Sequence, residues 1–273
     1  MRTVQLWLTG IALILVTGPV SSAETIPNHP LLQDEFFFRL GGYYPRSITA
    51  AALAPSTGGT GAFVDFENTL DLEKRNLVPI ADFMWHFKKH WRMEVDYFAV
   101  DRSATRTLPQ GSPDIVWGDH TFSAGDVIDS TFDFSDLRVS ADYAFFRRPD
   151  KELGVGLGLH VADIKANIQS SGVGTEAAAV TAPLPVVNLY GMFALTDEWA
   201  LSVNADWLSL AYGDYSGDVR NMALDLLSQP YRHIGFGLGI RSLTIDIEID
   251  HPDWNGAARI TFQGPTAYVT YSF

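Results

Sequence analysis

The sequence of 273 residues contains no cysteine. That excludes a disulfide framework and any thiolate metal site. Cations are scarce: 19 Lys and Arg stand against 32 Asp and Glu, a net charge of −13. Such a surface repels nucleic acid, so no DNA or RNA partner is expected. Beyond the first 23 residues no stretch approaches the roughly 18 apolar residues of a transmembrane helix. No proline-rich linker or block of like charge divides the chain, and one large domain is expected.

What is present begins with "MRTVQLWLTGIALILVTGPVSSA", residues 1–23. One cation (Arg2), an apolar run from Leu6 to Val16, a Gly-Pro break and Ser21-Ser22-Ala23 read as a secretory signal cleaved after Ala23. The alternative is an uncleaved anchor, for which the apolar run is short. This reading leaves 24–34 as a periplasmic segment and 35–273 as the folded domain.

Aromatics make up 12% of the sequence, and they recur with a period of two. Phe36, Phe38 and Leu40 alternate with Phe37, Arg39 and Gly41. Ala81, Phe83, Trp85 and Phe87 alternate with Asp82, Met84 and His86. Trp91, Met93, Val95 and Tyr97 alternate with Arg92, Glu94 and Asp96. The same pattern covers 137–145, 153–161, 187–193, 199–207 and 234–240, more weakly 222–226, and finally the closing "AYVTYSF". Period two is the mark of a half-buried strand, and ten such segments predict an all-β fold.

The connections separate two kinds of all-β protein. "KKH", "RRPDK", "TDE" and "PYRH" join strands at one end, whereas 45–77, 101–130, 167–183 and 250–257 are long. Short turns at one end and long loops at the other predict an antiparallel transmembrane β-barrel of about ten strands, with 8–12 as the range. In a bilayer each backbone polar group must pair internally, so an exported chain without spanning helices crosses only as a closed sheet. A secreted β-sandwich or lipocalin-like barrel also alternates, but it exposes a strongly charged face. Here the face opposite the apolar one is rich in Gly, Ser, Asn and isolated charges, as suits a crowded polar lumen. Phe36, Trp85, Trp91, Phe145, Trp199 and Phe273 all fall at the short-turn ends, where an interfacial aromatic girdle belongs.

Several strands change phase partway. After Val161 the apolar residues are Ile164, Ala166 and Ile168; after Ile240 they are Leu243, Ile245, Ile247 and Ile249. Leu153 to Val161 is about 30 Å of strand, which at a tilt near 40° crosses roughly 23 Å, the height of the apolar band. Above that height the outside is water, so the apolar residues are expected to fill the lumen.

"EFFFRLGGYYPR", "DFMWHFKKHWRMEVDYF" and "AYVTYSF" together resemble small bacterial outer-membrane β-barrel proteins of the OmpW/OmpA-like class, and "GAFVDFENTLDL" looks like a segment that recurs among such barrels. The resemblance implies Phe273 as the terminal aromatic read by the assembly machinery, with Tyr271 and Val269 as its alternating partners. It also implies a bacterial outer-membrane location, and contact with outer-membrane lipid and lipopolysaccharide. The chain has more strands than the eight typical of that class. A monomer is expected.

Strand parity sends Arg39, Asp82, Arg92, Glu94, Asp96, Arg138, Asp142, His160 and Asp206 into the lumen. They are read either as a salt-bridged filling, since buried charges persist when paired, or as a selectivity constriction or proton path. A lipid-modifying hydrolase would need a nucleophilic serine beside a histidine and an orienting acid. No such pair lies on a lipid-facing row, so no catalytic residue, cofactor or metal site is assigned. The functional expectation is a non-enzymatic barrel, structural or a narrow conduit for small or apolar solutes. The alternatives are a lipid A hydrolase and a passive surface anchor or adhesion protein.

Overall fold

The computed structural model describes residues 26–57, 61–251 and 254–273, so the signal segment and its cleavage point lie outside the described residues. The first element among the described residues is a short helix, α1 (Pro30–Gln33). There follow β1 (Phe36–Tyr43), β2 (Arg46–Leu53), β3 (Val64–Asp65), β4 (Val78–Lys88), β5 (Trp91–Thr107), β6 (Ile115–Trp117), β7 (His120–Phe122) and β8 (Val127–Arg148). The remaining strands are β9 (Lys151–Ser170), β10 (Gly174–Ala194), β11 (Trp199–Tyr212), β12 (Tyr215–Ser228), β13 (Ile234–His251) and β14 (Trp254–Ser272).

Ten of these strands pair antiparallel in the ring β1-β4-β5-β8-β9-β10-β11-β12-β13-β14, and β14 returns to β1. This is a β-barrel of the outer-membrane type. The closure reaches the last residue: Phe36 N–H donates to the Phe273 carbonyl at 3.0 Å, and Phe273 N–H donates back at 3.1 Å. Phe36 packs against Trp85 and Phe273, and Phe87 against Trp91, in an aromatic belt at the short-turn end. Val269, Tyr271 and Phe273 all face outward.

The strands do not change phase by slipping. Along β9 the even residues stay inside from Glu152 to Ser170, and along β13 the odd residues from Gly235 to Ile249. Pairing of β9 with β10, and of β13 with β14, runs without interruption. The only register shifts in the ring lie at Trp85/Lys88 and Ala144/Phe146, beside the short turns. Each face therefore keeps its direction while its chemistry changes. On the outside Leu153 to Val161 give way to Asp163 and Lys165. Inside, Glu152 and His160 give way to Ala162, Ile164 and Ile168. An apolar residue is stable where it is out of water, and the two faces exchange that property at the edge of the lipid.

Two of the long connections are largely strand. Residues 167–183 and the described part of 250–257, which the sequence presents as loops, continue β9, β10, β13 and β14 beyond the apolar band, with a tight turn between β9 and β10. Their luminal side chains still have an interior to fill, so the ladder continues. The excursions between β1 and β4 and between β5 and β8 do leave the ring. The first completes the wall. β4 stops at Val78, and above it β2 pairs with β14 on one side and with β3 on the other. Arg102 of β5 reaches across to Glu67 and, at 2.7 Å, to the Thr49 hydroxyl, while the Thr49 N–H donates to Glu67 at 2.7 Å. The second excursion carries the β6–β7 hairpin, whose Trp117 and Phe122 are buried.

Candidate functional site

Mid-height in the barrel the strands aim their charged residues at one another. Arg39 comes from β1, Asp82 from β4, Arg92, Glu94 and Asp96 from β5, Arg138 and Asp142 from β8, His160 from β9 and Asp206 from β11. All nine meet in one connected network. Arg39 donates to Asp82 and to Glu94, each at 2.7 Å, and reaches Asp225 of β12 at 3.5 Å. Arg138 grips Asp206 with two bonds, at 2.7 and 3.0 Å, and Asp96 at 2.8 Å. Arg92 bonds Asp142 at 3.1 Å and lies over the Tyr190 ring, 3.4 Å from its centroid. The Tyr190 hydroxyl in turn donates to Glu152 at 2.7 Å.

His160 sits between two carboxylates, with Nδ1 2.9 Å from Asp136 and Nε2 3.3 Å from Asp206. Only a ring that donates on both sides satisfies that arrangement. Asp206 also accepts from Asn188 at 2.7 Å and Asn221 at 2.8 Å. A buried ionic network is tolerable when each member is satisfied, and this one nearly is. Among its oxygens without a hydrogen-bond partner are Asp142 Oδ1 and Asn188 Oδ1. Both residues lie directly opposite Gly156 of β9. A side chain there would run into the Asp142 carboxylate, so glycine is what lets the acid fold over the neighbouring strand.

Asp82, Glu94 and Asp96 bring one oxygen each to within 4.8 Å of one another. Three such acids suit a hard cation. Here their charge is met by Arg39, by Arg138 and by Arg241 of β13, which donates to Asp96 at 2.6 Å. The donor set is that of an ion-pair knot, with guanidinium groups where a metal ion would sit.

Sequence reasoning missed Arg241, Asp225, Asp136, Asn188, Asn221 and the two luminal tyrosines, Tyr190 and Tyr268. The signal for Arg241 was available. It shares parity with Gly235, Gly237 and Gly239, and so points inward with them. Asp225 likewise has the parity opposite to Leu224 and Leu226.

Apolar matter closes the lumen on both sides of the girdle. Above it Phe98, Phe134 and Phe262 pack together with centroids 4.9–5.9 Å apart, Phe98 and Phe262 edge to face and the other two pairs tilted. Higher still Phe66 contacts Trp117 and Phe132. Below it α1 lies across the short-turn mouth, with Leu31 and Leu32 buried. The helix is tied down by His29, whose Nε2 donates to the Glu198 carbonyl at 3.2 Å while Nδ1 accepts the Leu31 N–H at 3.1 Å. Acceptance at Nδ1 requires a neutral ring with its proton on Nε2. Burial is the main influence that holds the His29 pKa below its ordinary value, and the Glu198 bond only partly opposes it.

No protein-family model and no curated relative matches the chain. Solved structures do. The outer membrane protease OmpT from Escherichia coli superposes with a TM-score of 0.59 at 9% identity, over 92% of this chain and 100% of that one. OprG from Pseudomonas aeruginosa gives 0.39 at 9% identity, over 91% and 99%. The attachment invasion locus protein Ail of Yersinia pestis gives 0.36 at 10%, over 86% and 99%. At such identities the likeness to OmpT concerns the fold alone.

Proposed function

We propose that this protein is a sealed, non-enzymatic barrel of the bacterial outer membrane, a rigid anchor that holds a structured extracellular end. The observation that carries this reading is the filled lumen. α1, the ion-pair girdle and the phenylalanine cluster obstruct it at three successive heights. That filling favours the structural role over a conduit for solutes, and the charged residues act as packing in place of a selectivity constriction.

The hydrolase reading has less support. His160 is occupied on both nitrogens by carboxylates, and among the described residues no histidine is hydrogen-bonded to a serine hydroxyl. In the same reading residues 1–23 direct export, the protein works as a monomer, and Phe273 with Tyr271 and Val269 is the element that the assembly machinery engages.

Planar-bilayer recording of the purified protein, with mass spectrometry of lipid A from cells with and without it, tests the proposal. The expected result is no stable channel and unchanged lipid A. Large steady conductance defeats the sealed barrel. Loss of acyl chains that disappears in His160→Ala defeats the non-enzymatic assignment.

A further inference from the structure

Among the described residues, the outer wall carries a basic pair with no acidic partner. Arg46 opens β2, and its direct partner across an isolated antiparallel bridge is Arg75. Residues opposed in such a bridge project from the same face. Both side chains are exposed, on the outward face that Tyr44 and Ile48 share. Like charges in this relation repel. Yet among the described residues neither arginine forms an ion pair, although the chain as a whole has an excess of acid. The pair is nonetheless held in place. The Ser47 N–H donates to the Lys74 carbonyl at 2.8 Å, and the Arg75 guanidinium stands over the Tyr44 ring, 5.7 Å from its centroid. On the other side of Arg46, across the β2–β14 ladder, lies the exposed amide Gln263.

Height along the wall gives this pair its meaning. Going up β1 the outward residues are Phe36, Phe38, Leu40, Gly42 and Tyr44, and Arg46 is the first charge above them. Phe36 and Phe273 are at the short-turn end, so the pair stands at the opposite rim of the apolar band, level with the outer-leaflet headgroups. Other strands place acids near this level, Asp101 on β5 and Asp163 on β9, which makes the basic site local.

Below the pair two shallow apolar grooves run on either side of the ridge formed by Leu40 and Val269. One, of about 620 Å³, is lined by Leu40, Ala81, Phe83 and Tyr97. The other, of about 600 Å³, is lined by Leu226, Phe236, Leu238 and Ala267. Ala81 and Ala267 are small residues in rows of large ones, and they account for the depressions. From Leu40 to Arg46 is about 20 Å of strand, or roughly 15 Å of height at the usual tilt, a span suited to an acyl chain.

We propose that Arg46 and Arg75, with Gln263 beside them, bind a phosphate of the acylated glycolipid of the outer leaflet, lipid A, and that its chains lie in the two grooves beside the β1–β14 closure. Arginine forks match phosphate oxygens bidentately, and a bound phosphate cancels the repulsion that the bridge imposes. The site specifies the lipid contact of the barrel, and it does not depend on whether the lumen conducts.

Lipid retention by the full-length protein extracted in mild detergent tests this. The protein is delipidated and titrated with bisphosphorylated lipid A, dephosphorylated lipid A, phosphatidylglycerol or inorganic phosphate, and read by native mass spectrometry. Charge-assisted bonds of this kind predict about a ten- to hundredfold weaker retention of lipid A by the Arg46→Gln/Arg75→Gln variant, and a similar loss when wild type meets dephosphorylated lipid A. The control Arg220→Gln/Arg259→Gln should retain lipid A as wild type does, with heat-modifiable migration of all variants confirming an intact barrel. Equal retention by the Arg46/Arg75 variant overturns the site. So does an equal loss in the control, which would reflect bulk charge. Arginine-dependent binding of phosphatidylglycerol as tight as that of lipid A overturns the assigned lipid, and binding of inorganic phosphate alone as tight as lipid A overturns the role of the grooves. If the double variant fails to fold, the comparison of phosphorylated with dephosphorylated lipid A on wild type decides the matter.

Discussion

At the scale of single residues, the lumen shows why a charge can be packing. Arg138 is 2% exposed and contacts Asp96, Glu94, Asp206 and Asn204. Removing one member of such a group leaves the others buried and uncompensated, at a cost of about 3–5 kcal/mol. Arg138→Ala should lower unfolding stability in lipid by that amount, whereas Arg259→Ala on the exposed wall should change it by about 0.5 kcal/mol or less. Denaturant titration of both variants is the check. His29 carries a pH dependence. Its pKa in the docked state lies below the ordinary 6.5 because burial disfavours the charged ring. Protons therefore bind the released segment more readily than the docked one. The stability that His29 contributes is fully present above pH 6.5 and is lost as pH falls below it. The expected outcome is faster proteolysis around α1 on acidification, slowed in His29→Gln. An unchanged rate across that range contradicts the assignment of a neutral, buried ring.

At the scale of strands, period-two alternation made the ring legible. All ten ring strands contain the segments read from sequence, because lipid outside and polar lumen inside impose opposite demands on successive residues. The same rule located nine girdle residues by parity. Reading failed where contrast between the faces is low. In "GTEAAAVTAP" of β10 both faces carry small residues, so strand looked like loop. α1 and the β6–β7 hairpin are too short to show a period, and their placement comes from tertiary contacts such as Trp117 Nε1 donating to the Glu176 carbonyl at 3.2 Å. Outward Leu157, in the lower part of β9, offers the energetic test of the lipid face. Leu157→Arg should cost about 2–4 kcal/mol in refolding equilibria, if its depth is near the bilayer midplane. A negligible cost would place that part of β9 in water.

At the scale of the molecule, the barrel has two stacked regimes in one unbroken sheet. The lower one is apolar outside and ionic inside, as a membrane barrel is. The upper one is polar outside and packed inside, as a soluble domain is, with Ile245, Ile260 and Phe262 all at most 1% exposed. Long strands continue through both regimes, and in the proposed reading they hold the extracellular end as an anchor for surface contacts requires. The proposed sealed lumen rests on this arrangement, since a dry upper core leaves no water path even if the girdle were to rearrange. The absence of native cysteine allows this to be measured directly, by labelling single-cysteine variants in intact cells with a membrane-impermeant maleimide. Cysteine replacing outward Asp163 or Asp246 should label rapidly, and cysteine replacing inward Ile164 or Ile245 should remain unlabelled until the protein is unfolded. Labelling of the inward positions at the rate of the outward ones would mean a wet upper lumen, and would contradict the sealed barrel.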